Sequence, residues 1–168
     1  MAKIEFKGFE SYAGILKQLE ELSDNIAGAA VYAGAKVVAD KVKRQIDHID
    51  SGHAWDAKYS DYEYERREKQ KEGLRKSMGI SAMRNDNGFL NVKVGFDGYN
   101  DIRTRKYPNG QPNAMVARIF NSGTSYNRKQ LFFKNAVTES KGIAENAMAV
   151  AVDEKILAIY ENQKGGKE

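Results

Sequence analysis

One feature constrains the fold of this chain more than any other, an apolar stripe with helical spacing that runs from Ile26 to Ile49. It covers roughly six turns of one helix face, so it needs a packing partner along its whole length. Residues 27–35 are rich in Ala and Gly, and such small side chains let another helix or strand approach closely. The pattern therefore predicts the long central helix of the core. Its apolar positions are Ile26, Ala30, Val31, Ala35, Val38, Val42, Ile46 and Ile49.

Two further helices are predicted, one near each end of the chain. The segment from Ile15 to Leu22 carries apolar residues on one helix face. Near the other end, Thr138 or Ser140 can cap a helix with a broad apolar stripe, which we expect to be buried. The polar residues 163–168 are expected to fray. The positions of the C-terminal stripe are Ile143, Ala144, Ala147, Met148, Val150, Ala151, Val152, Ile156 and Tyr160.

Residues 56–76, which follow the central helix, form a charged insert. It holds seven basic and six acidic residues, so it is nearly neutral, and it has few apolar side chains to bury. Such a composition is typical of a solvated helix or of a mobile loop that orders against a partner.

The middle of the chain shows the alternation of β-strands. Apolar residues alternate over 78–82 and again over 90–96, with the turn sequence Asn85–Gly88 between them, which predicts a hairpin. A further strand is predicted at Ala114–Phe120, after a long loop at 97–113 that contains both prolines. Together these elements predict one α+β domain over 1–168. In it, the N-terminal and central helices pack on a small antiparallel sheet of about three to four strands, and a C-terminal helix closes the fold.

Composition excludes several functional classes. The 168 residues include no Cys, which rules out a disulfide scaffold, a thiolate zinc site and cysteine catalysis. The net charge is only +4, from 27 Lys and Arg against 23 Asp and Glu, whereas dedicated DNA-binding domains often show a one-sided excess. No apolar run approaches the roughly 18 residues of a membrane span, so we expect no membrane partner. Residues 1–9 lack a signal-peptide core, and we expect an unsecreted protein.

Catalytic motifs are also absent. One cluster resembles a metal site and consists of Asp47, His48, Asp50 and His53. Its two His are five residues apart, however, so their side chains do not lie on the same face of a helix. The alternatives are a metal hydrolase centred on this cluster or, as we expect, an exposed helix end. No nucleophile elbow, Walker loop or dinucleotide fingerprint occurs. The sequence predicts neither an enzyme nor a cofactor.

Two loops interleave basic and aromatic side chains, as in proteins that bind a nucleic-acid backbone. They permit an alternative function, a small non-specific DNA-binding protein. The residues are Arg103, Arg105, Lys106 and Tyr107 in the first loop, and Tyr126, Arg128 and Lys129 in the second.

Four segments, in this order along the chain, resemble the tail-component family of tailed phages, of the lambdoid type. Gly73–Met78 (GLRKSM) is similar to the family's entry into its first strand, and Val92–Phe96 (VKVGF) to its Val-x-Val-Gly strand end. Met115–Ser125 (MVARIFNSGTS) and Leu131–Ala136 (LFFKNA) resemble the family signature that precedes its C-terminal helix. Members of this family are tail completion or head–tail joining proteins.

The resemblance implies a structural protein of the virion neck, encoded by a phage or prophage. Such a protein forms a homo-oligomeric ring, often of six subunits, that joins the tail tube to the head connector while double-stranded DNA passes through. It would reside in the virion, and in the host bacterial cytoplasm during assembly. The basic residues Arg103, Arg105 and Lys106 would then lie near the DNA lumen.

Six residues around the second loop are predicted to make the assembly contacts. Gly123 would allow a positive-φ turn, Thr124 would fix that turn through its hydroxyl, and Arg128 would pair with an acidic neighbour. The adjacent Phe132 and Phe133 cannot both point into one core from a helix or a strand. One would therefore pack under the sheet while the other anchors a neighbouring subunit. The alternative is that both are partly buried where the loop meets the C-terminal helix. The six are Asn121, Gly123, Thr124, Arg128, Phe132 and Phe133.

Overall fold

The computed structural model describes residues 9–51, 61–125 and 127–165, and it confirms the α+β class. These ranges contain five helices and two small antiparallel sheets of two strands each. The elements in chain order are α1 (Phe9–Glu21), α2 (Ser23–Asp47), α3 (Asp61–Ser77), β1 (Met78–Ile80), β2 (Arg84–Asp86), β3 (Phe89–Asn91), β4 (Val94–Phe96), α4 (Asn113–Ser122) and α5 (Phe132–Gly165).

The predicted central helix is confirmed as α2, which packs along α5. Its glycines make the close approaches expected from small residues. A Cβ on Gly34 would lie 2.8 Å from the Cγ and Sδ atoms of Met148 in α5. A Cβ on Gly28 would lie 2.7 Å from the Cε of Met83, between β1 and β2. The lack of a side chain at Gly34 therefore allows α5 to lie close to α2, and the lack of one at Gly28 makes room for Met83.

The core lies beneath the C-terminal half of α2, where α3, α4, β1 and the start of α5 meet. Val42 and Ile46 of α2 are fully buried there, as is Leu74 of α3. The charged insert thus forms a helix over its described part and buries one apolar residue; residues 56–60 lie outside the described ranges. The same face of α3 also buries polar side chains, namely Arg67, Gln70 and Lys71.

The predicted hairpin is present but interrupted. β1 pairs with β4, with Met78 opposite Phe96, and β2 pairs with β3 around the Asn85–Gly88 turn. Between the two ladders the Ser81 N–H donates to the Lys93 carbonyl at 2.8 Å, but the Lys93 N–H donates to the Ser81 hydroxyl at 2.9 Å and not to a backbone carbonyl. The long strands suggested by the alternation are therefore split into three-residue pieces.

The strand predicted at Ala114–Phe120 was wrong, because this segment is helix α4. A short apolar run fits a buried strand or a buried helix equally well. The buried positions Asn113, Val116, Ala117 and Phe120 follow helical spacing, and Pro112 occupies the position before the first helical residue. The sheet therefore has no third strand at this position.

Helix α5 is 34 residues long and closes the fold. It reaches Gly165, so residues 163–165 of the tail predicted to fray are helical; residues 166–168 lie outside the described ranges. In the parts of the chain that the structure describes, no helix is both long enough and apolar enough to cross a membrane.

Candidate assembly surfaces

The loop from α4 to α5 is built around Gly123, which ends α4. Its φ of 75° confirms the predicted positive-φ turn. Its N–H donates to the carbonyl of Ile119 at 2.9 Å, and a Cβ would lie 2.9 Å from both the Asn127 oxygen and the Lys129 nitrogen. Glycine is required here for its backbone conformation and also for the close approach of the returning chain.

Thr124 fixes this turn as predicted. Its hydroxyl accepts the backbone N–H of Asn127 at 3.2 Å, while its own N–H donates to the Asn127 carbonyl at 2.9 Å. Thr124 is exposed, so the turn stands on the surface. Tyr126, the aromatic of this loop, lies outside the described residues.

Asn121 has a role that sequence reasoning missed. Its Oδ1 accepts the N–H of Phe133 at 3.1 Å, and its backbone oxygen accepts the N–H of Leu131 at 3.1 Å. Asn121 of α4 therefore caps the N-terminus of α5. An Asn directly before the first helical residue would have suggested a cap, but Asn121 precedes α5 by eleven residues, so sequence spacing gave no signal.

The Phe pair is divided between core and surface. Phe132 is 3% exposed and belongs to the core, so its placement among the contact residues is corrected, because a neighbour cannot reach it. Phe133 is half-buried, and its ring centre lies 6.2 Å from that of Phe96 and 6.5 Å from that of Phe132. It lines a surface groove of about 430 Å³ together with Gly95, Phe96, Ala114, Ala117, Arg118, Asn121 and Ser122.

Arg128 is exposed and makes no ion pair with any described residue. Its loop is nevertheless anchored, because the Gln130 side chain accepts the N–H of Asp50 at 2.7 Å and donates to the Asp50 carbonyl at 3.1 Å. Arg128 is thus held on a fixed loop with its charge available to a partner.

The first basic loop is an ordered structure organised by Asn100. The Asn100 Oδ1 accepts the N–H groups of Ile102 at 3.0 Å and Gln111 at 3.2 Å, and Tyr99 bridges to Pro112. Arg103, Arg105 and Lys106 are all exposed on this loop. The Lys106 ammonium lies 5.6 Å from the ring centre of Tyr107, and the Tyr107 hydroxyl donates to the sulfur of Met115 at 3.2 Å.

The two basic loops are joined by helix α4. The first loop lies before Asn113 and the second after Ser122. The helix has ten residues and is about 15 Å long.

The metal-site alternative finds no support among the described residues, where no group of three or more His, Asp or Glu could hold a metal ion. Asp47 accepts the Nε–H of Arg75 at 2.5 Å, and the Nδ1 of His48 lies 2.9 Å from the Arg44 carbonyl. Asp47 thus ties the end of α2 to α3, whereas His48 hydrogen-bonds, among the described residues, only to the last turn of α2. His53 lies outside the described ranges.

Ser51, Glu68 and Lys71 form a partly buried polar cluster next to the core. The Glu68 carboxylate accepts hydrogen bonds from the Ser51 hydroxyl and from the Lys71 ammonium, the latter at 3.1 Å. Burial raises the pKa of Glu68, but these bonds and the Lys71 charge outweigh it and hold the pKa below its ordinary value. The cluster ties the chain after α2 to helix α3.

Helix α5 exposes several apolar residues, so the expectation that its broad apolar stripe is buried is confirmed for Ala144 and wrong for Ile143 and Val150. Ile143 is 61% exposed, Val150 55% and Leu157 58%, at intervals of seven residues along one side. The face that packs against the fold instead carries small residues such as Ser140 and Ala144. We call Ile143, Val150 and Leu157 the α5 stripe. Their spacing was visible in the sequence, but periodicity does not show which face the fold covers.

Comparison of the chain with family models, with curated proteins and with solved structures gives no match. The resemblance to the phage tail-component family therefore stays a prediction that rests on the short motifs quoted above.

Proposed function

We propose that this chain is a structural protein of a phage or prophage neck that joins the tail tube to the head connector. It acts by assembling with copies of itself into a ring, with six as the expected number of subunits, and by docking on its neighbours. No catalytic step and no cofactor belong to this role. The sequence motifs suggest the phage setting, and the α5 stripe is the observation that supports assembly.

The α5 stripe leaves a large apolar surface uncovered in the single chain. From Ile143 to Leu157 it extends about 21 Å along the helix, given a rise of 1.5 Å per residue. Exposed apolar side chains that line up along one helix face can form a contact surface for a partner. We propose a second copy of the chain as the partner. Burial of these side chains would stabilise that assembly by about 25 cal/mol per Å² of apolar surface.

A ring requires two different contact surfaces on each subunit, because head-to-tail association repeats a heterologous interface. The groove beside Phe133, with the exposed Thr124 and Arg128 on the adjoining loop, is the second surface that we propose. In this arrangement Arg128 pairs with an acidic residue of the neighbour. Arg103, Arg105 and Lys106 face the lumen, where a modest positive charge lets double-stranded DNA pass without tight binding.

The assembly proposal is tested with the double variant Val150→Lys/Leu157→Lys. Two charges on the α5 stripe should abolish self-association in sedimentation velocity and remove ring particles from negative-stain images. Ala149→Lys is the matched control, since Ala149 is exposed on the same helix but outside the stripe. If the wild type stays monomeric at high concentration and beside purified tail tubes, or if the double variant still forms rings, the proposal is wrong.

The neck role is tested in the phage or prophage that carries the gene. Deletion should give full heads and complete tails that do not join, and supply of the wild-type chain in trans should restore joined particles. Virions that assemble normally without the chain would contradict the role. Gene neighbours between a capsid or portal gene and a major tail gene would support it.

The alternative, non-specific DNA binding, is favoured by one observation. Arg103, Arg105 and Lys106 are exposed and make no ion pair with any described residue, so their charges are available to phosphates. Fluorescence anisotropy of a labelled DNA duplex across a salt series tests it. Binding through these residues gives a slope of log affinity against log salt near −0.9 per phosphate contact. An undetectable response would remove this alternative.

A further inference from the structure

Charge is distributed unevenly between the two surfaces proposed for assembly. From residue 102 to residue 138 the sequence has seven basic side chains and no acidic one, although the whole chain has 27 basic against 23 acidic residues. Helix α4, the loop after it and the start of α5 fall in this segment and line the groove beside Phe133, to which β4 adds only the uncharged Gly95 and Phe96. The charge at this groove is therefore positive.

We call this surface the Phe133 groove. The half-buried rings of Phe96 and Phe133 line it, and Arg118 of α4 is the charged residue of its lining. Arg118 is exposed and makes no ion pair with any described residue. A groove with aromatic rings and an unpaired cation suits an apolar side chain that has a carboxylate beside it.

The α5 stripe carries acidic side chains between its apolar residues. Asp153 follows Val150 by three residues and Glu154 precedes Leu157 by three, so each carboxylate neighbours the stripe on the helix surface. Both are exposed and make no ion pair with any residue in the described ranges. The basic Lys155 lies about 140° around the helix from Val150. This part of the stripe therefore combines apolar surface with unpaired negative charge.

The two surfaces of one molecule lie too far apart to meet. Phe133 and Leu157 belong to the same helix and are 24 residues apart, which separates them by about 36 Å along the helix axis. Val150 is 17 residues from Phe133, or about 26 Å along the axis. A contact between this part of the α5 stripe and the Phe133 groove therefore joins two copies of the chain.

We infer that the α5 stripe of one copy docks in the Phe133 groove of the next copy, with Glu154 paired to Arg118. The inference rests on the proposed self-assembly and deepens it, because it states which surface contacts which. Leu157 packs against the rings of Phe96 and Phe133 in this contact. Each added copy then presents one free stripe and one free groove, which is the head-to-tail arrangement that closes into a ring.

The charges favour this pairing over the other contacts that the two surfaces could make. Two stripes face to face would bring the acidic residues of both copies together, and two grooves would bring their arginines together. Like charges opposed across an interface are costly. A DNA duplex offers phosphates to Arg118 but no apolar side chain to cover Phe96 and Phe133. The stripe of a second copy offers both an apolar side chain and a carboxylate.

Charge reversal on each surface tests the pairing. Arg118→Glu opposes two carboxylates and Glu154→Lys opposes two cations, so each variant alone should self-associate about tenfold more weakly than wild type in sedimentation velocity. An equimolar mixture of the two variants should recover association to within about threefold of wild type. In the mixture the two unchanged surfaces have opposite charges, and so do the two reversed surfaces, so every contact between unlike variants is favourable.

Matched controls reverse one exposed charge outside both surfaces. Arg84→Glu lies on β2 and Asp40→Lys lies on α2, and each should change self-association by less than about twofold. Far-UV circular dichroism confirms that each variant is folded.

The pairing and the neck function fail in different ways. Wild-type rings that tolerate both Arg118→Glu and Glu154→Lys, or a mixture that associates as weakly as its components, would overturn the pairing and leave ring assembly standing. Dissociation of the wild-type assembly by a 20-base-pair DNA duplex would assign Arg118 to DNA and would also overturn the pairing. A wild type that stays monomeric beside purified tail tubes would overturn the assembly itself.

Discussion

Replacement of Gly123 by Ala should be among the most damaging single-methyl changes in this protein. At Gly123 the backbone has φ 75° and ψ 172°, a region essentially restricted to glycine, where another residue costs about 1–3 kcal/mol. The added Cβ would also lie 2.9 Å from the Asn127 oxygen, 2.9 Å from the Lys129 nitrogen and 3.1 Å from the Lys129 Cα. These are backbone atoms that cannot rotate away, and overpacking of this kind costs about 1–3 kcal/mol more.

The expected loss in the free energy of unfolding is therefore about 2–6 kcal/mol, measured by urea denaturation followed by circular dichroism. Gly88→Ala is the matched control: its φ is 89°, but no atom lies within 4 Å of the added Cβ, so it should lose only about 1–2 kcal/mol. Gly142→Ala adds a methyl in open space on α5 and should gain about 1 kcal/mol. A Gly123→Ala variant no less stable than Gly88→Ala would refute the reasoning.

Three further predictions concern the core, the helix junction and the polar cluster. Phe132→Ala should lose about 3–5 kcal/mol in urea denaturation because it empties a core site, and Phe133→Ala should lose less because its ring is half-exposed; equal losses would contradict their placement. Asn121→Ala should lose about 1 kcal/mol and speed amide hydrogen exchange at the start of α5, whereas unchanged exchange would argue against the cap. Because the folded-state pKa of Glu68 is lowered, its contribution to stability is present at neutral pH and lost as pH falls through that pKa. Glu68→Gln should therefore show a smaller decrease in unfolding free energy from about pH 6 to pH 3 than wild type; parallel pH profiles would refute this.

Elements with a clear period were predictable from sequence alone. The α2 stripe and the alternation on both sides of the Asn85–Gly88 turn gave the central helix and the hairpin, because burial on one face imposes a period on the residues. Helix α4 was not predicted, because Met115–Phe120 is a short apolar run that fits a buried strand as well as a buried helix. The local turn chemistry of Gly123 and Thr124 was also predictable, as it depends on neighbouring residues only.

Features that depend on how elements meet were not predictable. The cap that Asn121 provides joins two helices, and the α5 stripe is exposed because the opposite side of α5 faces α2. The close approach of Gly73 in α3 to Asn100 and Asn113 also joins residues that are distant in the sequence. A short stretch of sequence cannot show these contacts, because each one arises from the packing of separate elements.

The contact between Gly34 and Met148 has a consequence for chemical ageing of the protein. The space that a Gly34 Cβ would occupy lies 2.8 Å from the Met148 sulfur, so little room remains for a further atom on that side. Oxidation of Met148 to the sulfoxide adds a polar oxygen to this sulfur, which would wedge α2 and α5 apart. Peroxide treatment should lower the melting temperature of wild type more than that of Met148→Leu, with oxidation followed by mass spectrometry. Methionine sulfoxide reductase should restore the melting temperature, because it converts the sulfoxide back to methionine. The stability of the α2–α5 pair would then depend on the oxidation state of Met148.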